Sequence, residues 1–232
     1  MRAVLLLAGL GLFAVPATGC FAQKAPVVVE LFTSQGCSSC PPADAFLTDL
    51  ARQRRDVLPL AFHITYWDNL GWKDPYSLQA ATSRQQDYAS RLGDGQVYTP
   101  EMVVGGAHAF VGSDRAEGLD EISRAANAPS VPLRLARTGE TLTISIAQGT
   151  GRGTVVLIGF DSHHRTPIAR GENGGRTVLE SNIVRSLDVA GKWTGAALEL
   201  QHATPAGEEF AVLLQAGDGR ILGAARLNGA GS

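Results

Sequence analysis

The chain has 232 residues, 44% of them hydrophobic and 18% charged, with a formal net charge of −2 at pH 7. That length and balance suffice for one large or two modest globular domains. A charge so near neutral excludes broad electrostatic binding to nucleic acid or to anionic lipid.

Met1-Arg2 followed by the apolar run Ala3–Val15 gives the basic and apolar regions of a secretory signal, read as residues 1–22 with cleavage after Ala22. The run is shorter than the roughly 20 residues a membrane-spanning helix needs. Export to the periplasm or the medium is expected. Lipidation at Cys20, preceded by Ala17-Thr18-Gly19, is a second processing route, and only that route brings in a membrane. Either route removes or consumes Cys20, so of the 3 cysteines the mature chain keeps Cys37 and Cys40.

After the signal, Val27–Phe32 is a near-continuous apolar run, the pattern of a buried parallel strand. A polar loop leads to Cys37-Ser38-Ser39-Cys40-Pro41-Pro42, and a helix runs from Pro41 to about Arg54, opened by two prolines that its first turn tolerates. Leu58–Thr65 is a second strand. The aromatic, charged loop Tyr66–Pro75 follows, then a helix capped by Ser77 and running to about Leu92. Tyr98–Val104 reads as a strand entered through Pro100, Gly105-Gly106 turns it into Ala107–Val111, and a helix spans Ser113 to Ala126. Beyond the linker Asn127–Pro132, period-two patterns and Gly-rich turns predict an antiparallel sandwich of about seven strands. No catalytic motif stands out in that half.

A pair of cysteines two residues apart, between a strand and a helix, is the signature of a thiol–disulfide redox site. Cys37 sits where unpaired backbone N–H groups and the helix dipole favour a thiolate. Cys40 is close enough to close a disulfide. So short a loop constrains the unfolded chain least, which makes stability a poor reason for the pair. Zinc is disfavoured because two further cysteine ligands are missing from the mature chain. A Cu(I) carrier using both thiolates and His63 is an alternative that soft sulfur allows. So is a partner-docking module whose pair stays oxidised. Glu30, the charged residue in an apolar strand, is a candidate proton relay to Cys40, or a cap for loop N–H groups. Tyr66–Pro75 is either a lip that recognises a peptide or packing for the helix behind it. His163-His164 fall on opposite faces of a strand pattern and make a poor metal site.

The order β-α-β-α-β-β-α, with the cysteine pair after the first strand and a proline opening the third, resembles the thioredoxin fold. The run Glu30–Asp44, with Tyr66-Trp67-Asp68, Leu70–Pro75 and Tyr98-Thr99-Pro100, is similar to a secreted thioredoxin-like family catalogued as a domain of unknown function. The resemblance implies a cis bond between Thr99 and Pro100, opposite the cysteines, whose backbone positions an extended substrate. It departs from thioredoxin proper in having no Trp before Cys37 and Ser-Ser between the cysteines.

The expected fold is therefore α/β: a thioredoxin-like domain over residues 25–127, then an antiparallel β-sandwich-like domain over 131–229. The expected function is thiol–disulfide oxidoreduction on exported protein or small-molecule thiols and disulfides, with a redox partner. No organic cofactor, metal or nucleic acid is called for. Cys37 is the nucleophile, Cys40 the resolving thiol.

Overall fold

The computed structural model describes residues 24–93 and 95–227. The expected signal segment, residues 1–22 with Cys20, lies outside the described residues. β1 (Val27–Thr33) is buried along its whole length, as its near-continuous apolar run requires, with Glu30 and Thr33 buried among the apolar residues. α1 (Pro41–Gln53) has prolines at its first two positions. β2 (Val57–His63) pairs parallel to β1, with α2 (Gln79–Leu92) after it. β3 (Glu101–Val104) pairs antiparallel to β1, and β4 (His108–Val111) to β3. α3 (Arg115–Ala125) starts at Asp114, whose carboxylate accepts the Glu117 backbone N–H. The expected cap of α2 is different: Leu78, extended, precedes the helix without a side-chain cap. The Ser77 hydroxyl is held instead by Asp68 Oδ2 at 2.7 Å.

The remaining strands are β5 (Leu133–Thr138), β6 (Thr141–Ile146), β7 (Gly153–Pro167), β8 (Thr177–Trp193), β9 (Leu198–Ala203), β10 (Glu209–Gln215) and β11 (Ile221–Arg226). They do not make a self-contained sandwich. Four of them continue the first sheet, giving eight strands in the order β11-β10-β7-β8-β2-β1-β3-β4. Only β5, β6 and β9 form a second sheet. The result is a mixed α/β architecture with one large, mostly antiparallel sheet and few helices. The junction is the β2–β8 pair, registered at Ala61 and Ile183. Next to it Asn182, in the left-handed region at φ 53°, donates its side-chain amide to the Pro59 carbonyl at 2.7 Å.

Packing explains why the halves merge. Val156, Ile158 and Phe160 of β7 share one core with Leu60 and Phe62 of β2 and with Ala81 and Tyr88 of α2. Val155 and Leu157 point the other way, into a core with Leu142, Ile144 and Ile146 of the small sheet. β7 is thus buried on both faces, in the core shared with β2 and α2 on one and in the core shared with the small sheet on the other. α1 and α3 close a third core with Val29, Leu31 and Met102.

Candidate functional site

The site is built at the C-terminal end of β1. Ser34-Gln35-Gly36 turns the chain, and Cys37 donates its N–H to the Ser34 carbonyl at 3.1 Å. Cys40 already has helical backbone angles and accepts the first helical bonds, from Ala43 at 2.9 Å and Asp44 at 3.1 Å. Cys37 and Cys40 are joined as a disulfide, with Cα atoms 5.5 Å apart. Ser38 and Ser39 between them are exposed, yet both cysteines are 0% exposed. Thiol–disulfide exchange needs an accessible sulfur, and neither cysteine presents one in this state.

Thr99–Pro100 is a cis peptide bond. The Ser39 hydroxyl lies 3.4 Å from both the Thr99 carbonyl oxygen and Cys37 Sγ, so this segment and the cysteine loop face each other. The Tyr66–Pro75 loop locks both in place. Trp67 donates its indole N–H to Thr99 Oγ1 at 2.8 Å, and Trp72 donates to Gln35 Oε1 at 3.1 Å. Both aromatics therefore pack against the cysteine loop, while Tyr66 and Leu70 remain exposed.

Beneath α1 lies a buried polar cluster. The parallel register sets Thr33 of β1 beside His63 of β2. Thr33 donates to Asp44 Oδ1 at 2.8 Å; Asp44 is buried on α1, four residues after Cys40. His63 Nδ1 is 2.7 Å from Asp74 Oδ2, and its Nε2 is 3.6 Å from Glu180 Oε1 of β8. Gln35 ties the cluster to the cysteine loop: its N–H donates to Asp74 at 2.8 Å, its side-chain amide to Glu180 at 2.7 Å.

The charges in this cluster shift one another. Burial, reinforced by the Glu180 charge, pushes the Asp44 carboxyl up to about 8. Burial alone would lower His63, but the carboxylates of Asp74 and Glu180 more than reverse this and raise it to about 9. Asp74 is penalised by burial, and the imidazolium and N–H donors still hold it below the usual carboxylate range. Burial raises Glu180 against the pull of His63.

Glu30 is placed elsewhere. It alternates with Val29 and Leu31, which face α1, so its carboxylate points to the opposite side of the sheet. There it forms a buried two-point ion pair with Arg84 of α2 and accepts from the Tyr88 hydroxyl at 2.7 Å. Neither Cys40 nor the cluster beneath α1 is on that face, which corrects its assignment as a relay. His63 is likewise corrected as a copper ligand: both ring nitrogens face carboxylates. Among the described residues no group of three or more His, Cys, Asp or Glu is arranged to hold a metal. His164 of β7 pairs with Asp161 at 2.8 Å and stacks on Tyr76.

Three site residues escaped the sequence reading. Asp44 carries a detectable signal, a carboxylate on the buried stripe of a helix one turn after Cys40. Glu180 opens the polar run Glu180-Ser181-Asn182 of β8, which does not set it apart as a buried charge. Asn173, in the β7–β8 turn, gives no sign in the sequence, yet it is 1% exposed and donates its amide to the carbonyls of Cys37 at 2.8 Å and Gln35 at 3.0 Å.

Comparison with known proteins gives structures but no activity. A crystal structure of a protein from Agrobacterium tumefaciens is 32% identical with a TM-score of 0.77, covering 91% of this chain and 98% of that one. HBP35 of Porphyromonas gingivalis is 14% identical with a TM-score of 0.59, covering 88% of this chain and 74% of that one, a likeness of fold alone. No curated protein matches. Residues 28–215 match the family described as protein of unknown function (DUF1223), and the chain belongs to that family.

Proposed function

We propose that this protein is an exported thiol–disulfide oxidoreductase with a thioredoxin-like unit spanning β1 to α3. The carrying observation is the Cys37–Cys40 disulfide at the N-terminus of α1, facing the cis Thr99–Pro100 segment. The strand order β2-β1-β3-β4, with β1 and β2 parallel and β3 reversed, supports the same reading. Export rests on the basic and apolar opening of the sequence.

In the oxidising direction a substrate thiolate attacks Cys37 Sγ. The S–S bond breaks, its electron pair leaves on Cys40 Sγ, and a mixed disulfide forms. A second substrate thiolate attacks the substrate's own sulfur, releasing a substrate disulfide and the two-electron-reduced cysteine pair. The same steps reversed reduce a substrate. The backbone beside Thr99–Pro100 would align the incoming chain, and the positive end of the α1 dipole would favour thiolate at Cys37.

The test is the reduction potential of the pair, read by mass spectrometry in glutathione buffers, together with capture by Cys40→Ser. A potential above about −300 mV, with mixed disulfides accumulating on Cys37, is expected. A lower potential and no captured partner would make the bond structural and end this reading.

A further inference from the structure

Both sulfurs are buried, so something must move before any thiol reaches Cys37. The β7–β8 turn covers the loop. Asn173 donates to the Cys37 and Gln35 carbonyls. Glu172 Oε2 accepts the Ser38 backbone N–H at 3.2 Å, from the same peptide unit whose carbonyl Asn173 holds. Arg176 donates to Asn173 Oδ1 at 3.2 Å and fixes which edge of that amide faces the cysteine loop. Gly171, at φ +81°, lies against Trp72, where a side chain would crowd the Trp72 Cβ.

The polar contacts are concentrated on two side chains. Removing them leaves the turn held by packing, with a carbonyl and an N–H freed beside exposed Ser38. We infer that Asn173 and Glu172 are the latch of a lid, and that they determine which thiols reach Cys37 and how fast. The lid is open only for a fraction of the time, and the observed rate at Cys37 is its open-state rate multiplied by that fraction. Loss of the Asn173 amide removes two hydrogen bonds and raises the open fraction by roughly tenfold or more. Loss of the exposed Glu172 carboxylate removes one, with a gain of roughly threefold. A gate speeds both directions equally and leaves the equilibrium unchanged.

This inference rests on Cys37 being the reacting sulfur. The experiment uses the mature, oxidised chain and dithiothreitol. Its thiolate attacks Cys37, the bond breaks onto Cys40, and its second thiol closes the ring, so one dithiothreitol is oxidised for each pair reduced. Rates of reduction by dithiothreitol, rates of reoxidation by oxidised glutathione, and the reduced fraction in one fixed glutathione buffer are compared for wild type, Asn173→Ala and Glu172→Ala. Faster exchange in both directions, with the reduced fraction at equilibrium unchanged within twofold, is the expected result. Wild-type rates in the variants overturn the lid, and Glu172→Ala, an exposed position, decides the matter if Asn173→Ala does not fold. A pair that proves structural by potential but is still reduced faster in the variants would refute the enzyme and keep the lid.

Discussion

The buried cluster makes stability fall as pH rises through the neutral range. The His63 proton is held with a pKa of about 9 in the native state, against 6.5 for an ordinary histidine. Its contribution is therefore complete below about pH 6.5 and is lost as pH climbs through 9. Within that window the folded chain keeps a proton that the unfolded chain releases, a slope of about −1.4 kcal/mol per pH unit. The whole window is worth on the order of 3 kcal/mol. Asp44, raised to about 8 from 3.8, has the same sign: its neutral form is native-like, and stability falls as pH rises from its unfolded value to 8. Glu180 adds to this direction. Asp74, which is lowered, acts oppositely but only in acid, where its stabilising charge is lost as pH falls through its folded value. Urea midpoints of the oxidised protein, followed by tryptophan fluorescence from pH 5.5 to 9.5, measure the sum. A steady decline is expected, with a shallower slope in His63→Gln. A midpoint that is level or rising between pH 6.5 and 9 would refute a protonated His63 in the folded protein.

Arg84→Met should destabilise the protein by about 3–5 kcal/mol in urea, because it leaves the fully buried Glu30 carboxylate without its cation. A loss below about 1 kcal/mol would show that the buried Glu30 does not depend on the Arg84 cation. Arg84→Lys should recover little, since one ammonium cannot match the two-point guanidinium contact. Gly106→Ala should cost on the order of 2 kcal/mol. Its φ is +65° and a Cβ would run into the Gly219 carbonyl of the β10–β11 turn. An unchanged thermal midpoint would show that the two hairpins do not press together.

Local elements were legible because local chemistry makes them. The apolar run of β1, the paired prolines opening α1 and the glycines between β3 and β4 each fix their own segment. The cap of α2 was misread because Ser77 finds Asp68 across the loop, a contact no neighbour in sequence announces. The merging of the two halves was only half legible. Val155–Phe160 is as unbroken an apolar run as β1, which fits a strand buried on both faces better than an alternating sandwich strand. The turn-to-turn spacing hid it. Glu30 shows the limit most plainly. Its position in an apolar strand announced a buried charge, but the face it occupies depends on which residue of β1 meets α1.

The C-terminal strands complete the site they follow. Glu180 and Asn173 lie about 140 residues beyond the cysteine pair, one beneath α1 and the other over Cys37. Both come from one β7–β8 hairpin, held beside β2 by the Asn182–Pro59 bond and by the core around Ile158. A fragment ending at α3 would lose the partner of His63 Nε2 and the donor to the Cys37 carbonyl together. It would also expose the Leu60 and Phe62 side of the sheet, where β7 now packs. The hairpin therefore belongs to the cysteine-pair site as much as to the fold, since its Asn173 holds the Cys37 carbonyl.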